Sequence, residues 1–217
     1  MNPPYTAIKG FSGPTLTRLR AMARALHAES RDRVASIREA QARYGIGMRR
    51  SPPPLDDHLA NLGADTIPAG VELLVYSGTL VNNRTTSARS LHLVSLPDEV
   101  FVLGEAIRLS IDGQPRRTSD NAAMCNHACE GRANCGVRAV VFEGATLPLI
   151  VLYSLRPIAP GEPLAWDYNN GVPNTFWAER ATTDACLADP ALRPRVVLCA
   201  CSLPDPCPLG RSFIAPE

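Results

Sequence analysis

Between residues 16 and 43 apolar side chains return at helical spacing: Leu16, Leu19, Met22, Leu26, Val34 and Ile37, with Arg and Glu between them. That spacing predicts an amphipathic helix, opened by Pro14 and ended at Gly45 and Gly47. A continuous helix would be roughly 42 Å long at 1.5 Å per residue. Ser30-Arg31-Asp32 interrupts the stripe, so two shorter helices satisfy the pattern equally. The helix serves either to pack on the core or as a partner-binding or export-related arm. Residues 1–14, rich in Pro and Gly, read as an extended arm. RRSPPPLDD (49–57) reads as a loop, because consecutive prolines forbid helix. Beyond it the pattern changes to short β-rich runs: VELLVYSGTLV (71–81), LHLVSL (91–96), EVFVLG (99–104), IRLSID (107–112), VRAVVFEG (137–144) and LPLIVLYSLRPI (147–158). No convincing helix separates one run from the next, which argues against a parallel α/β sheet and for a mainly β core. From 175 to 192 the pattern turns partly helical, and the remaining stretch is rich in Cys and Pro. No internal repeat is visible.

Composition adds three constraints. The chain has 217 residues and a formal net charge of +1, which gives no general reason to expect nucleic-acid binding. No apolar run reaches bilayer length, and the first residues lack a secretory profile, so no membrane association is expected. Seven cysteines, odd in number and clustered late, favour reduced thiols, some of them metal-bound, and hence a reducing intracellular compartment. Of 22 basic residues only Lys9 is lysine. A GC-rich genome explains that bias; so does selection against a residue that is a target of methylation and ubiquitin conjugation.

Three segments then stand in one order. NHACEGRANC (126–135) holds an Asn-His pair between cysteines, GEPLAWDY (161–168) follows a strand, and CACSLPDPC (199–207) lies near the end of the chain. Together they resemble the SET-domain protein lysine methyltransferases, with their Asn-His-x-Cys segment, later Asp-Tyr segment and cysteine-rich post-SET tail. IPAGVELLVYSGTLV (67–81) is similar to the opening strand pair of that family, and YGIGMR (44–49) to its Gly-x-Gly entry. Ala123-Met124 stands where the family usually has Arg-Phe. The resemblance implies a SET-domain fold of small curved β-sheets with a pseudoknot near Asn126, plus an N-terminal helical extension. It divides the chain into 1–43 (arm and amphipathic helix), 44–175 (SET domain, with a substrate insert at about 84–118) and 176–217 (post-SET segment).

The same resemblance implies roles. Tyr168 and Tyr76 match the catalytic tyrosine and its partner, and with Trp166 they would line the lysine channel. Gly45, Ile46, Gly47, Asn126, His127 and Tyr168 would contact S-adenosylmethionine. Read without that context, Asn126-His127 is a turn, and Gly45 is a helix C-cap. Cys129, Cys199, Cys201 and Cys207 would hold a structural zinc, which needs four tetrahedral ligands; free thiols in a loop are the alternative. The chemistry is coherent: a narrow apolar channel disfavours the ammonium form of lysine and frees its lone pair, while aromatic walls attract the incoming cation. Bulk at Trp166 hints at a lower methylation state.

The expectation is therefore a protein lysine N-methyltransferase acting on a peptide, foremost a histone tail laid in the groove as an added strand. Other readings are a non-histone substrate, or a catalytically silent SET-like module that binds a protein. A histone substrate would place the protein in a nucleus, and the scarcity of lysine suits a bacterial effector acting in a host cell. Oligomeric state and automethylation of Lys9 stay open.

Overall fold

The computed structural model describes residues 4–50, 57–82, 93–113, 118–128 and 131–168, residue 188, and the short strands at 177–178, 196–198 and 212–214. The chain is mainly β, in small sheets, with two helices near its start. It divides into two compact units that alternate along the sequence. The first comprises Met1–Arg43, Glu72–Ala123 and Val137–Tyr153; the second comprises Tyr44–Val71, Met124–Gly136 and Ser154–Glu217.

In the first unit the expected extended arm is a strand, β1 (Tyr5–Lys9). The helical stripe is split: α1 (Gly13–Glu29) buries Leu19, Met22 and Leu26, and α2 (Arg31–Arg43) buries Val34 and Ile37. Each such burial removes apolar surface worth about 2 kcal/mol. Ser30 makes the break with φ −89° and ψ 1°. Its N–H still donates to Leu26 and its carbonyl accepts from Val34, both at 2.9 Å. The break at Ser30 therefore keeps both of those backbone bonds.

The run at 71–81, similar in sequence to an opening strand pair, is two strands. β4 (Glu72–Val75) and β5 (Gly78–Asn82) are separated by Tyr76 and Ser77. In chain order these follow β2 (Ile46–Arg49) and β3 (His58–Asn61), which belong to the second unit. Then come β6 (Leu93–Ser95), β7 (Val100–Val102), β8 (Glu105–Ile107) and β9 (Leu109–Asp112). The run at 107–112 is thus broken at Arg108. β1, β5, β9 and β6 form one sheet in that order, with β1 parallel to β5 and the other pairs antiparallel. β7 and β8 form a separate hairpin whose turn residues Leu103 and Gly104 have φ of 53° and 85°. Positive φ at both positions matches the twist of a two-residue hairpin, but a leucine there is strained.

β10 (Asn126–His127), β11 (Cys135–Phe142), β12 (Ala145–Ser154) and β13 (Ala165–Trp166) complete the sheets that carry the motifs. In the first unit β12 pairs antiparallel with β4, Val151 opposite Val75 and Leu152 opposite Leu74. Leu147, Leu149, Val151 and Leu152 are fully buried, which explains why this strand reads as a continuous apolar run rather than an alternating one.

In the second unit β2 and β3 pair antiparallel, Gly47 opposite Ala60. Three further strands, β14 (Trp177–Ala178), β15 (Val196–Leu198) and β16 (Ser212–Ile214), form a small antiparallel sheet in the order β14-β16-β15. Trp177–Ala178 is therefore strand within the stretch expected to be partly helical; apart from these strands and residue 188, the segment 176–217 lies outside the described residues.

Candidate functional site

Two-residue β13 is the organising element. Asn126 pairs with Ala165 and His127 with Trp166 on one side, and Cys135 pairs with Trp166 on the other, all in parallel register. The N–H of Ala128 donates to the Trp166 carbonyl, and that of Asn134 to the Ala165 carbonyl, each at 3.1 Å. A late segment thus lies between two earlier strands, β10 and β11, that are consecutive in the chain. This is the crossing expected near Asn126.

Asn134 holds that crossing in register. Its buried amide donates to Glu162 at 3.0 Å and to the Pro163 carbonyl at 2.7 Å, while its Oδ1 accepts the N–H of Ala165 at 2.9 Å. The sequence motif contains Asn134 but gives no sign of this work. The strand β3 binds the same segment: Asn61 N–H donates to the Glu162 carbonyl at 3.0 Å and Leu164 N–H to the Leu59 carbonyl at 2.8 Å.

Beyond β13 the chain delivers Tyr168 beside His127. The Tyr168 backbone N–H donates to His127 Nδ1 at 3.2 Å, and the Tyr168 hydroxyl donates to the Cys125 carbonyl at 2.6 Å. The tyrosine ring lies 5.2 Å from the imidazole, edge-on, and 4.8 Å from the Trp166 ring, tilted. His127 and Trp166 are buried and Tyr168 is half-buried.

The electrostatics follow from burial. Desolvation lowers the His127 pKa to about 4, against a weaker upward pull from Asp167. The imidazole is thus neutral near pH 7. Because Nδ1 accepts a hydrogen bond, its proton resides on Nε2. The 3.8 Å approach of Nδ1 to the Asp167 carboxylate is therefore not an ion pair. Burial also raises the Cys125 thiol well above its ordinary value and pushes Cys135 up to about 12, so both behave as packed thiols rather than thiolates.

Gly45, Ile46 and Gly47 lie where β2 begins. Gly45 has φ 58°, and a Cβ there would sit 2.9 Å from the Gly63 nitrogen; a Cβ on Gly63 would sit 2.6 Å from the Tyr44 carbonyl oxygen. Both glycines are accounted for by this close passage of two backbones. A Cβ on Gly47 would press on the Leu62 side chain at 3.0 Å. The half-buried Asn126 amide makes no hydrogen bond among the described residues.

Tyr76 belongs to the first unit, where it is buried and its N–H donates to the Ile150 carbonyl at 2.8 Å. Two neighbours missed by sequence reading shape its surroundings. Buried Asn121 exchanges hydrogen bonds with Ser77, accepting its N–H at 3.1 Å and donating to its carbonyl at 2.9 Å. Gly113 leaves room for the ring: a Cβ there would meet the Tyr76 ring edge at 3.2 Å and its hydroxyl at 3.3 Å. Gly113 directly follows the β-run at 107–112, whereas Asn121 carried no signal in the sequence. The cysteines expected to hold zinc, Cys129, Cys199, Cys201 and Cys207, lie outside the described residues, as does part of the insert expected at about 84–118.

The segment that carries these motifs matches a known family. Residues 63–169 match the family profile of the SET domain. That segment is a SET domain. Similar solved structures include KRYPTONITE in complex with mCHH DNA, an H3(1-15) peptide and SAH, at 21% identity over 61% of this chain and 25% of that one, TM-score 0.44. KRYPTONITE with mCHG DNA and SAH aligns at 20% identity over 78% and 29%, TM-score 0.47. The methyltransferase domain of human histone-lysine N-methyltransferase SETMAR aligns at 20% over 55% and 42%, TM-score 0.41. The chain spans less than half the length of each of these structures. No curated protein matches the chain.

Proposed function

We propose that this chain is a protein-lysine N-methyltransferase that uses S-adenosylmethionine, with a lysine-bearing peptide, foremost a histone tail, as substrate. One observation carries the reading: the Tyr168 hydroxyl commits its proton to the Cys125 carbonyl at 2.6 Å. A phenolic oxygen that donates in this way is of the kind that can accept an N–H of an incoming amine and face a cationic methyl donor. Trp166 and His127 flank the same ring, and their low polarity favours the neutral amine over the ammonium.

The residues present fit the cofactor chemistry. The half-buried Asn126 amide is uncommitted among the described residues, and His127 is uncharged at neutral pH, so no positive charge there opposes a sulfonium. When bound, S-adenosylmethionine supplies the electrophilic methyl group and the thioether leaving group. Trp166 restricts the room beside Tyr168, which supports a low methylation state. Gly45, Ile46 and Gly47 stay in the cofactor set, and Tyr76 in the channel, on their motifs. Zinc on Cys129, Cys199, Cys201 and Cys207 is proposed from the thiol spacing and is tested by metal analysis of Cys201→Ser; no chemical step depends on it. A histone substrate would place the enzyme in a nucleus, including that of a host cell.

The test is transfer of labelled methyl to histones and to cell lysate, with Tyr168→Phe as control and cofactor binding measured separately by calorimetry. Label that depends on Tyr168 supports the reading. Cofactor bound without label on any protein overturns it in favour of a silent binding module, and label on other lysate proteins but not on histones overturns the histone assignment.

A further inference from the structure

The single lysine of the chain has an unusual setting. Lys9 is the last residue of β1, is exposed, and forms no ion pair or side-chain hydrogen bond among the described residues. β1 is the outermost strand of its sheet, so its second hydrogen-bonding edge faces no other strand among the described residues. The next residue, Gly10, has φ 79° and turns the chain away. A cleft of about 280 Å³ opens there, with Gly10, Phe11, Ser12, Asn82 and Glu105 in its walls. Among the described residues the outer edge of β1 at Lys9 is therefore open to approach, while its inner edge pairs with β5.

We infer that Lys9 is a methyl acceptor for a second copy of this chain. This rests on the methyltransferase reading above and extends it to a substrate. An exposed edge strand already has the extended form in which a peptide can be taken up by strand addition, with its side chains alternating and its outer backbone groups free. The register Ala7 opposite Thr79, Ile8 opposite Leu80 and Lys9 opposite Val81 holds β1 in its own sheet. Buried Tyr5, whose hydroxyl donates to the Pro148 carbonyl, anchors the start of the strand. So anchored, Lys9 is offered outward to another molecule. The remaining 21 basic residues are arginines, so no other side-chain amine of the chain competes for transfer.

The step balances. The Lys9 ammonium loses a proton to water on leaving bulk solvent. The Nζ lone pair forms a bond to the sulfonium methyl carbon. The carbon–sulfur bond breaks with its electron pair going to sulfur, leaving a neutral thioether, and the positive charge passes to the methylated amine.

The experiment separates enzyme from acceptor. Lys9→Arg protein, which keeps the site but cannot accept, is mixed with Tyr168→Phe protein and labelled S-adenosylmethionine, with core histones as a parallel substrate. The expected result is label on the Tyr168→Phe copy, located to Lys9 by peptide mass and absent when that copy also carries Lys9→Arg. A second readout needs no cofactor: acylation of Lys9 in the Tyr168→Phe protein is followed with and without excess Lys9→Arg protein, and slows if Lys9 docks. Labelled histones together with an unlabelled acceptor copy would overturn the inference and leave the methyltransferase reading standing. No label on either would overturn both. Unchanged acylation would count against docking of Lys9 in a second copy.

Discussion

The imidazole of His127 accepts the backbone N–H of Tyr168 at 3.2 Å, across forty-one positions of sequence. The histidine therefore holds the tyrosine backbone in place, and burial keeps its imidazole uncharged near pH 7.

Replacing His127 by Phe removes that acceptor and leaves a backbone donor unpaired, at a cost of about 1–2 kcal/mol in stability. Methyl transfer is expected to fall by up to about a hundredfold through misplacement of Tyr168, and His127→Gln, which restores an acceptor, should recover part of it. Equal rates for the Phe and Gln variants would count against a positioning role.

The same residue sets a pH dependence. Its folded pKa, about 4, lies below the ordinary 6.5 because burial penalises the charged form. Between those values the unfolded chain binds a proton that the folded chain refuses. Stability is fully present above about 6.5 and falls as pH drops towards 4. Denaturant unfolding across this range should show a slope in the natural protein that His127→Gln lacks.

Glu72 contributes at lower pH. Burial raises its pKa, but hydrogen bonds from Arg33 at 2.6 and 2.8 Å and from Arg138 at 2.5 and 3.2 Å outweigh that and hold it below 4.5. Being depressed, this carboxylate stabilises the fold above pH 4.5 and loses the effect as pH falls through its folded value. Glu72→Gln should cost about 1–2 kcal/mol at pH 7, discounted because both arginines are partly exposed. Its loss relative to the natural protein should shrink in acid melts; a constant difference down to strong acid would contradict the assignment.

Gly113→Ala tests the space beside Tyr76. The added Cβ would lie 2.5 Å from the Ala123 Cβ, a distance that forces backbone to move. A loss of about 1–3 kcal/mol is expected from overpacking, readable as a lowered Tm, with the Tyr76 resonances shifted. An unchanged Tm would show that the two segments can separate freely.

Asn134→Ala removes the three hydrogen bonds that hold residues 162–165 between β10 and β11. The orphaned N–H of Ala165 is buried, so about 2–3 kcal/mol should be lost. Amide exchange at Ala165 and Trp166 should accelerate more than at Leu80 or Ile111, because the first pair depends on this clasp.

The mainly β core, the N-terminal helical stripe and its interruption at Ser30, and the SET-domain motifs were all legible from local pattern. Apolar periodicity reports burial directly, and motif residues keep their order whatever their distance. The break at Arg108 within the run 107–112 was not legible, because either half satisfies the same apolar pattern. Gly45 illustrates the same limit: its letters suit a cofactor loop or a helix cap, yet the structure explains it by the passage of Gly63 at 2.9 Å.

What the sequence determined by itself was therefore the class of fold, together with a short roll of candidate site residues, since both reside in local pattern and residue type. Tertiary structure alone decided which of them work together. The uncharged state of His127 comes from burial, the placement of Tyr168 from insertion of β13 between two earlier strands, and the clasp of Asn134 from segments about thirty residues apart. Desolvation and long-range hydrogen bonding arise only when distant segments meet, so no local pattern can carry them.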